Sequence, residues 1–151
     1  MRKNRRRGFT LIELLVIIAI IGILATIVVA NYVTEIPKAK VAKAKADIRM
    51  IMDALDRFKL SHDEYPTTEQ GLKALITKPA TGDMKNPDAY PTAGYVQGIP
   101  KDPWGNEYQY VYPGSREGLY DLTCYGADGK EGGEGFNADI TNRNLAGGEQ
   151  K

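Results

Sequence analysis

The 151-residue chain has one cysteine, Cys124, one histidine, His62, and one tryptophan, Trp104. A single cysteine forms no internal disulfide, so no covalent framework supports the fold. One thiol and one imidazole also supply too few soft ligands for a zinc cluster. The chain contains no phosphate-binding loop, nucleophile elbow or zinc-protease motif, and its carboxylates are scattered, so the sequence reads as non-enzymatic. Cys124 reads as a small apolar residue packed in a strand. His62, beside Asp63 and Glu64 at a predicted helix end, reads as a solvated helix terminus. Trp104 reads as a packing anchor between a loop and a sheet.

Acidic residues are missing from the N-terminal leader. The net charge is +1, but Arg2, Lys3, Arg5, Arg6 and Arg7 precede Gly8 with no acid among them, and removing these five charges leaves −4. The body is therefore mildly acidic and offers nothing shaped for nucleic acid. The remaining dense basic cluster, Lys38, Lys40, Lys43 and Lys45, reads as a solvated helix face, with contact to anionic lipid headgroups as the minor alternative.

Residues 9–33 form the one long hydrophobic run, FTLIELLVIIAIIGILATIVVANYV. A helix of ~20 apolar residues spans a bilayer core of ~30 Å. The basic leader before it places the N-terminus in the cytoplasm and the rest of the chain outside. Glu13 lies inside the run, where a carboxylate facing lipid costs about 2.5–3.5 kcal/mol and normally has a partner. Val28-Val29-Ala30 also offers a small-residue signal-peptidase site. Cleavage there would release a soluble periplasmic domain but would leave Glu13 unexplained.

Downstream, Ile48, Ile51, Met52, Leu55 and Phe58 recur at helical spacing, and Ala39, Ala42, Ala44 and Ala46 favour helix. The pattern predicts one helix over about residues 10–62, with a kink near Pro37 and a local weak point at Gly22. Residues 65–76 predict a turn and short helix, with Thr67 and Gln70 as a capping box. Residues 77–103 predict an ordered loop, and residues 107–112 and 119–125 alternate like two strands. The glycine-rich, acidic stretch 125–140 is open to two readings. It could wrap carbonyls and carboxylates around calcium or form a solvated loop, since its spacing is not that of an EF-hand.

The motif Arg7-Gly8-Phe9-Thr10-Leu11-Ile12-Glu13 resembles the processing site of type IV prepilins and type II secretion pseudopilins. The strings YPTTEQGL at 65–72 and DPWGNEYQY at 102–110 are similar to the major pseudopilins in particular. The resemblance implies cleavage between Gly8 and Phe9, N-methylation of Phe9 by the same membrane peptidase, and a filament-assembly role for Glu13. It implies an α+β, pilin-like fold, with a long helix packed on a small antiparallel sheet and a calcium-binding C-terminal loop. The parts would be a cleaved leader (1–8), a transmembrane and filament-core helix (9–33), an amphipathic helix (34–64) and a periplasmic globular part (65–151).

For calcium the resemblance implies Asp128, Asp139 and the carbonyls of Tyr125 and Asn142. Glu134 or Asn137 would substitute for the carboxylate missing at Ala138. The implied partners are further copies of the chain, minor pseudopilins, the prepilin peptidase and methyltransferase, an inner-membrane platform with its assembly ATPase, and the lipid bilayer. The implied location is a single pass through the bacterial inner membrane with a periplasmic C-terminal domain. The function implied is a structural subunit of the periplasmic pseudopilus. A type IV pilin of a surface fibre and a signal-peptide-released periplasmic calcium-binding domain are the competing readings.

Overall fold

The computed structural model describes residues 9–80 and 84–145, with the side chains of residues 26–35 outside that description. Helix α1 (Leu11–His62) is one continuous element that runs through Pro37. The chain divides into two compact units, Met1–Pro37 and Lys38–Lys151.

In the first unit every described side chain from residue 9 to 25 is exposed. Leucines and isoleucines face outward all round the helix, from Leu11 and Ile12 to Ile23 and Leu24. Among the described residues no helix is long and apolar enough to cross a membrane. The stretch 11–25 is about 22 Å long at ~1.5 Å per residue, short of the ~30 Å expected of a span. The side chains in the rest of the expected span, residues 26–33, and the whole leader, residues 1–8, lie outside that description.

The second unit holds the core. Ala44, Ile48, Ile51, Leu55 and Phe58 step along one face of α1 by fours and threes, and all are buried. Full burial of such side chains contributes about 1.5–3 kcal/mol each. Met52 packs at the margin. Against this stripe lie Leu75, Leu122, Cys124, Ile140 and four tyrosines, Tyr65, Tyr108, Tyr110 and Tyr120. Trp104 packs partly buried against the same cluster, as its solitary place in the sequence suggests.

The sheet consists of β1 (Gln109–Val111), β2 (Asp121–Cys124) and β3 (Ile140–Thr141), all antiparallel, in the order β1-β2-β3. Tyr110 lies opposite Leu122, and Cys124 opposite Ile140. The first two strands are shorter than their alternating sequence predicts. The connection between them is pinned at Gly114, where a Cβ would come within 2.7 Å of the backbone of Tyr120 and Asp121. Strand β3 has no counterpart among the predicted elements. It holds a single apolar residue, Ile140, which is too little to register as alternation.

The capping box forms at the expected residues: Thr67 N–H donates to Gln70 Oε1 at 3.0 Å, and Gln70 N–H donates to Thr67 Oγ1 at 3.2 Å. It caps a turn, not an α-helix, and a 3-10 segment (Leu72–Leu75) follows after Gly71. The loop beyond carries a further 3-10 turn (Pro87–Ala89).

His62 corrects the sequence reading. It is 1% exposed, not solvated. Its Nδ1 lies 2.8 Å from the Lys85 carbonyl, which can only accept, so Nδ1 carries the proton. Nε2 then accepts from the Tyr95 hydroxyl at 2.9 Å. Rings of Phe58, Tyr90 and Tyr95 surround it. The buried stripe continues by one more step of four from Phe58 to His62, and the loop carrying Lys85 and Tyr95 closes over that position.

Candidate functional site

Two places concentrate the residues singled out by the sequence: the start of α1 and the C-terminal loop. At the helix start, Thr10 N–H donates to Glu13 Oε2 at 3.1 Å, and the Thr10 hydroxyl donates to the same oxygen at 3.1 Å. Glu13 N–H in turn approaches Thr10 Oγ1 at 3.3 Å. This is a reciprocal capping box, which satisfies donors that the first turn of a helix leaves open. An acid in the first turn also complements the helix dipole. The carboxylate therefore has a local structural role in addition to the assembly role that the resemblance implies. Its signal, T-x-x-E before an apolar run, is present in the sequence. Phe9 is exposed next to it, and Gly8 lies outside the described residues.

In the C-terminal loop the chain turns tightly around the main chain of Asn137. A Cβ on Gly126 or on Gly133 would fall 2.6 Å from the Asn137 carbonyl oxygen, and both glycines have positive φ. That oxygen accepts no hydrogen bond among the described residues. Asp139 Oδ2 accepts from Gly132 N–H at 2.9 Å, which ties the loop to its own carboxylate. Asp139 Oδ1 is buried and has no partner among the described residues. A buried carboxylate oxygen left unsatisfied costs more than a neutral one, and a hard cation is one group that would satisfy it.

The other expected ligands are less gathered. Asp128 is exposed, and its Oδ1 accepts from Lys130 N–H at 3.2 Å. Glu134 is exposed at the start of a 3-10 turn (Gly135–Asn137). The Asn142 side chain is engaged with the sheet: Oδ1 accepts from Leu122 N–H at 3.3 Å, and Nδ2 donates to the Tyr120 carbonyl at 3.0 Å. Tyr125 is half-buried where β2 ends. Among the described residues no three His, Cys, Asp or Glu side chains gather as a metal cluster. A cation here would draw mainly on carbonyl oxygens, the ligand set calcium accepts and zinc does not. The orphaned Asp139 oxygen and the glycine-lined Asn137 carbonyl fit that donor set.

Sequence reasoning did not find the polar knot behind this loop. Asp102 is 4% exposed; its Oδ1 accepts from Trp104 N–H at 2.9 Å and Asn106 N–H at 2.8 Å. Its Oδ2 accepts from the Cys124 thiol at 3.3 Å. Burial, reinforced by the Asp102 charge, pushes the Cys124 thiol up to about 12. The Asp-Pro-Trp-Gly-Asn order marks a turn, but nothing local to Cys124 signals which carboxylate it meets.

The chain is similar to known proteins over nearly its whole length. Residues 31–143 match the family described as type II secretion system protein G. Residues 3–29 match the prokaryotic N-terminal methylation motif. The chain is 49% identical over 146 residues to the type II secretion system core protein G of Vibrio cholerae, covering 96% of this chain and 97% of that one. It is 49% identical over 142 residues to the protein of the same name from Pseudomonas aeruginosa, covering 94% and 98%. Among solved structures, the major pseudopilin of enterohaemorrhagic Escherichia coli superposes with a TM-score of 0.62 at 37% identity, covering 74% of this chain and 93% of that one. A capped apolar helix start bearing a methylation motif, followed by a tyrosine-rich core of this topology, thus coincides with 49% identity over nearly the full length, and the chain belongs to the type II secretion system protein G family, the major pseudopilins.

Proposed function

We propose that the chain acts as a structural subunit: it is cut between Gly8 and Phe9, methylated on Phe9, held in the bacterial inner membrane by residues 9–33, and polymerised into a periplasmic pseudopilus. The observation that carries this reading is the helix start. Leucines and isoleucines lie exposed all round residues 9–25, and such a surface calls for cover by lipid or by other copies. Cleavage removes the leader's five positive charges and creates a new cation at Phe9, close in sequence to Glu13. Buried among apolar helices of neighbouring copies, amine and carboxylate compensate each other, whereas either alone costs about 3–5 kcal/mol. The peptidase, minor pseudopilins and the platform with its ATPase are the partners this cycle requires.

Mass spectrometry of the protein recovered from membranes tests the processing step. The expected N-terminus is a monomethylated Phe9. A chain that retains its arginines, or begins after Ala30, would overturn the assignment.

Calcium completes the proposal in a stabilising role. Asp139 and Asp128, with the carbonyls of Tyr125 and Asn142 and either Glu134 or Asn137, would hold the ion, which supplies positive charge to an acidic loop. A ligand bound only by the folded form adds stability that grows with its concentration, about 2.7 kcal/mol at a hundredfold excess over Kd. Chelation is expected to lower the Tm of the detergent-solubilised chain by several degrees, and Asp139→Ala to abolish that sensitivity. An unchanged Tm on chelation would remove calcium from the account.

A further inference from the structure

The two edges of the sheet are finished differently. At the β3 edge, Thr141 N–H donates to Asn144 Oδ1 at 2.8 Å, and the Thr141 carbonyl accepts from Asn144 N–H at 3.1 Å. A side chain and a turn thus close that edge. At the β1 edge, the Thr68 hydroxyl does the same for Tyr112, accepting from its N–H and donating to its carbonyl, both at 2.8 Å.

Two residues earlier, nothing does so for Tyr110. Its neighbour across the pair, Leu122, directs its own backbone toward β3: its carbonyl accepts from Asn142 N–H at 3.0 Å, and its N–H donates to Asn142 Oδ1 at 3.3 Å. Antiparallel partners alternate between bonded and non-bonded pairs. Gln109 and Val111 therefore bond to β2, and the N–H and carbonyl of Tyr110 point outward. Neither takes a hydrogen bond to the loops among the described residues.

Tyr110 faces a groove of about 480 Å³ whose apolar walls come from Leu72, Ile76 and Ile99. Its rim carries Glu69, Glu107, Lys73 and Lys101, two charges of each sign. Among the described residues none of the four forms an ion pair. A balanced rim selects against polyanions and polycations alike. An open main-chain rung on the groove wall calls for main-chain groups, and the apolar walls call for small apolar side chains at alternate positions.

We propose that the β1 edge is a docking site for an extended, β-forming segment of a different protein, added antiparallel or parallel as a fourth strand in register with Tyr110. A second copy of this chain is a poor occupant. Its β3 edge is closed by Asn144, and pairing of β1 with β1 would give a closed twofold dimer, not an open polymer. The preference for a different protein over a second copy rests on the proposed polymerisation, whereas the open Tyr110 rung itself does not depend on the processing or metal proposals.

The test uses the isotope-labelled full chain in detergent and a short acetylated, amidated peptide of alternating threonine and valine. Amide hydrogen exchange is read residue by residue. Free protein is expected to exchange Tyr110 quickly and Gln109 and Val111 slowly. Saturating peptide is expected to slow Tyr110 at least about tenfold while leaving the other two unchanged. A peptide N-methylated on its bonding face is expected to give no protection. Thr68→Val, which frees the Tyr112 rung, is expected to tighten binding, and Ile99→Asp to weaken it. The proposal falls if Tyr110 is already protected in the free chain, or if no peptide concentration protects it. It also falls if the N-methylated peptide works equally well, or if protection instead follows protein concentration alone, the mark of a β1–β1 dimer.

Discussion

Residues 11–25 and 44–58 belong to the same helix and are both rich in aliphatic side chains, yet they distribute them in opposite ways. The first stretch is apolar all round and exposes everything described. The second confines its aliphatics to a stripe that ends up buried, with Arg49, Asp53 and Arg57 on the outer side. A stripe is sufficient where the chain itself supplies the opposing surface. An all-round apolar surface is stable only where something outside the chain supplies it. One helix thus carries an intramolecular half that makes a domain and an intermolecular half that makes an assembly.

The largest effect expected from breaking this division concerns Glu13. Glu13→Gln keeps an acceptor for the Thr10 N–H but removes the charge. If charge pairing with the Phe9 amine drives assembly, the variant makes no filament, while the Tm of the C-terminal unit is unchanged. Assembly at the parental level, seen by electron microscopy and shearing assays, would reduce Glu13 to a helix cap. Next in size, Leu55→Ala in the buried stripe is expected to cost about 2–5 kcal/mol of unfolding free energy. Leu15→Ala in the exposed stretch should leave denaturant unfolding of the domain where it was and weaken only assembly. Equal losses from the two would erase the distinction.

The smallest effect is a change of slope at high pH. Burial, followed by the hydrogen bond to Asp56 and that residue's charge, pushes the Tyr65 phenol up from 10.0 to about 12. Burial likewise raises Tyr108, Tyr110 and Tyr120. A raised folded pKa means the folded state holds its proton longer. The stabilisation is therefore complete below pH 10 and is lost as the pH climbs from 10 toward 12 and beyond. Tyr65→Phe is expected to make the alkaline fall in stability shallower, as measured by denaturant melts across that window. The apolar first stretch has no such phenols among its described residues and should be insensitive to it.

Much of this molecule is legible from its own sequence because the signals are local. The stripe from Ile48 to Phe58, the Thr67–Gln70 box and the two alternating segments each declare themselves within a few residues. What escaped depends on contacts between distant segments. His62 looks solvated beside two acids, and only the loop bearing Lys85 and Tyr95, more than twenty residues on, buries it. Strand β3 exists because β2 offers it an edge, not because Ile140 and Thr141 demand it. At the candidate metal loop the residue types are visible in the sequence. The engagement of Asn142 by the sheet is not, and neither is the carbonyl of Asn137 held between two glycines.

The buried meeting of Cys124 and Asp102 has a bearing on life in a crowded fibre. In the proposed periplasmic filament, identical subunits would bring their sulfurs to high local density, and exposed thiolates in an oxidising compartment would cross-link neighbouring copies as disulfides. Here the sulfur is wholly shielded and its proton is held against ionisation up to about pH 12. A sulfur so shielded and so reluctant to ionise offers a neighbouring subunit no handle for a covalent cross-link.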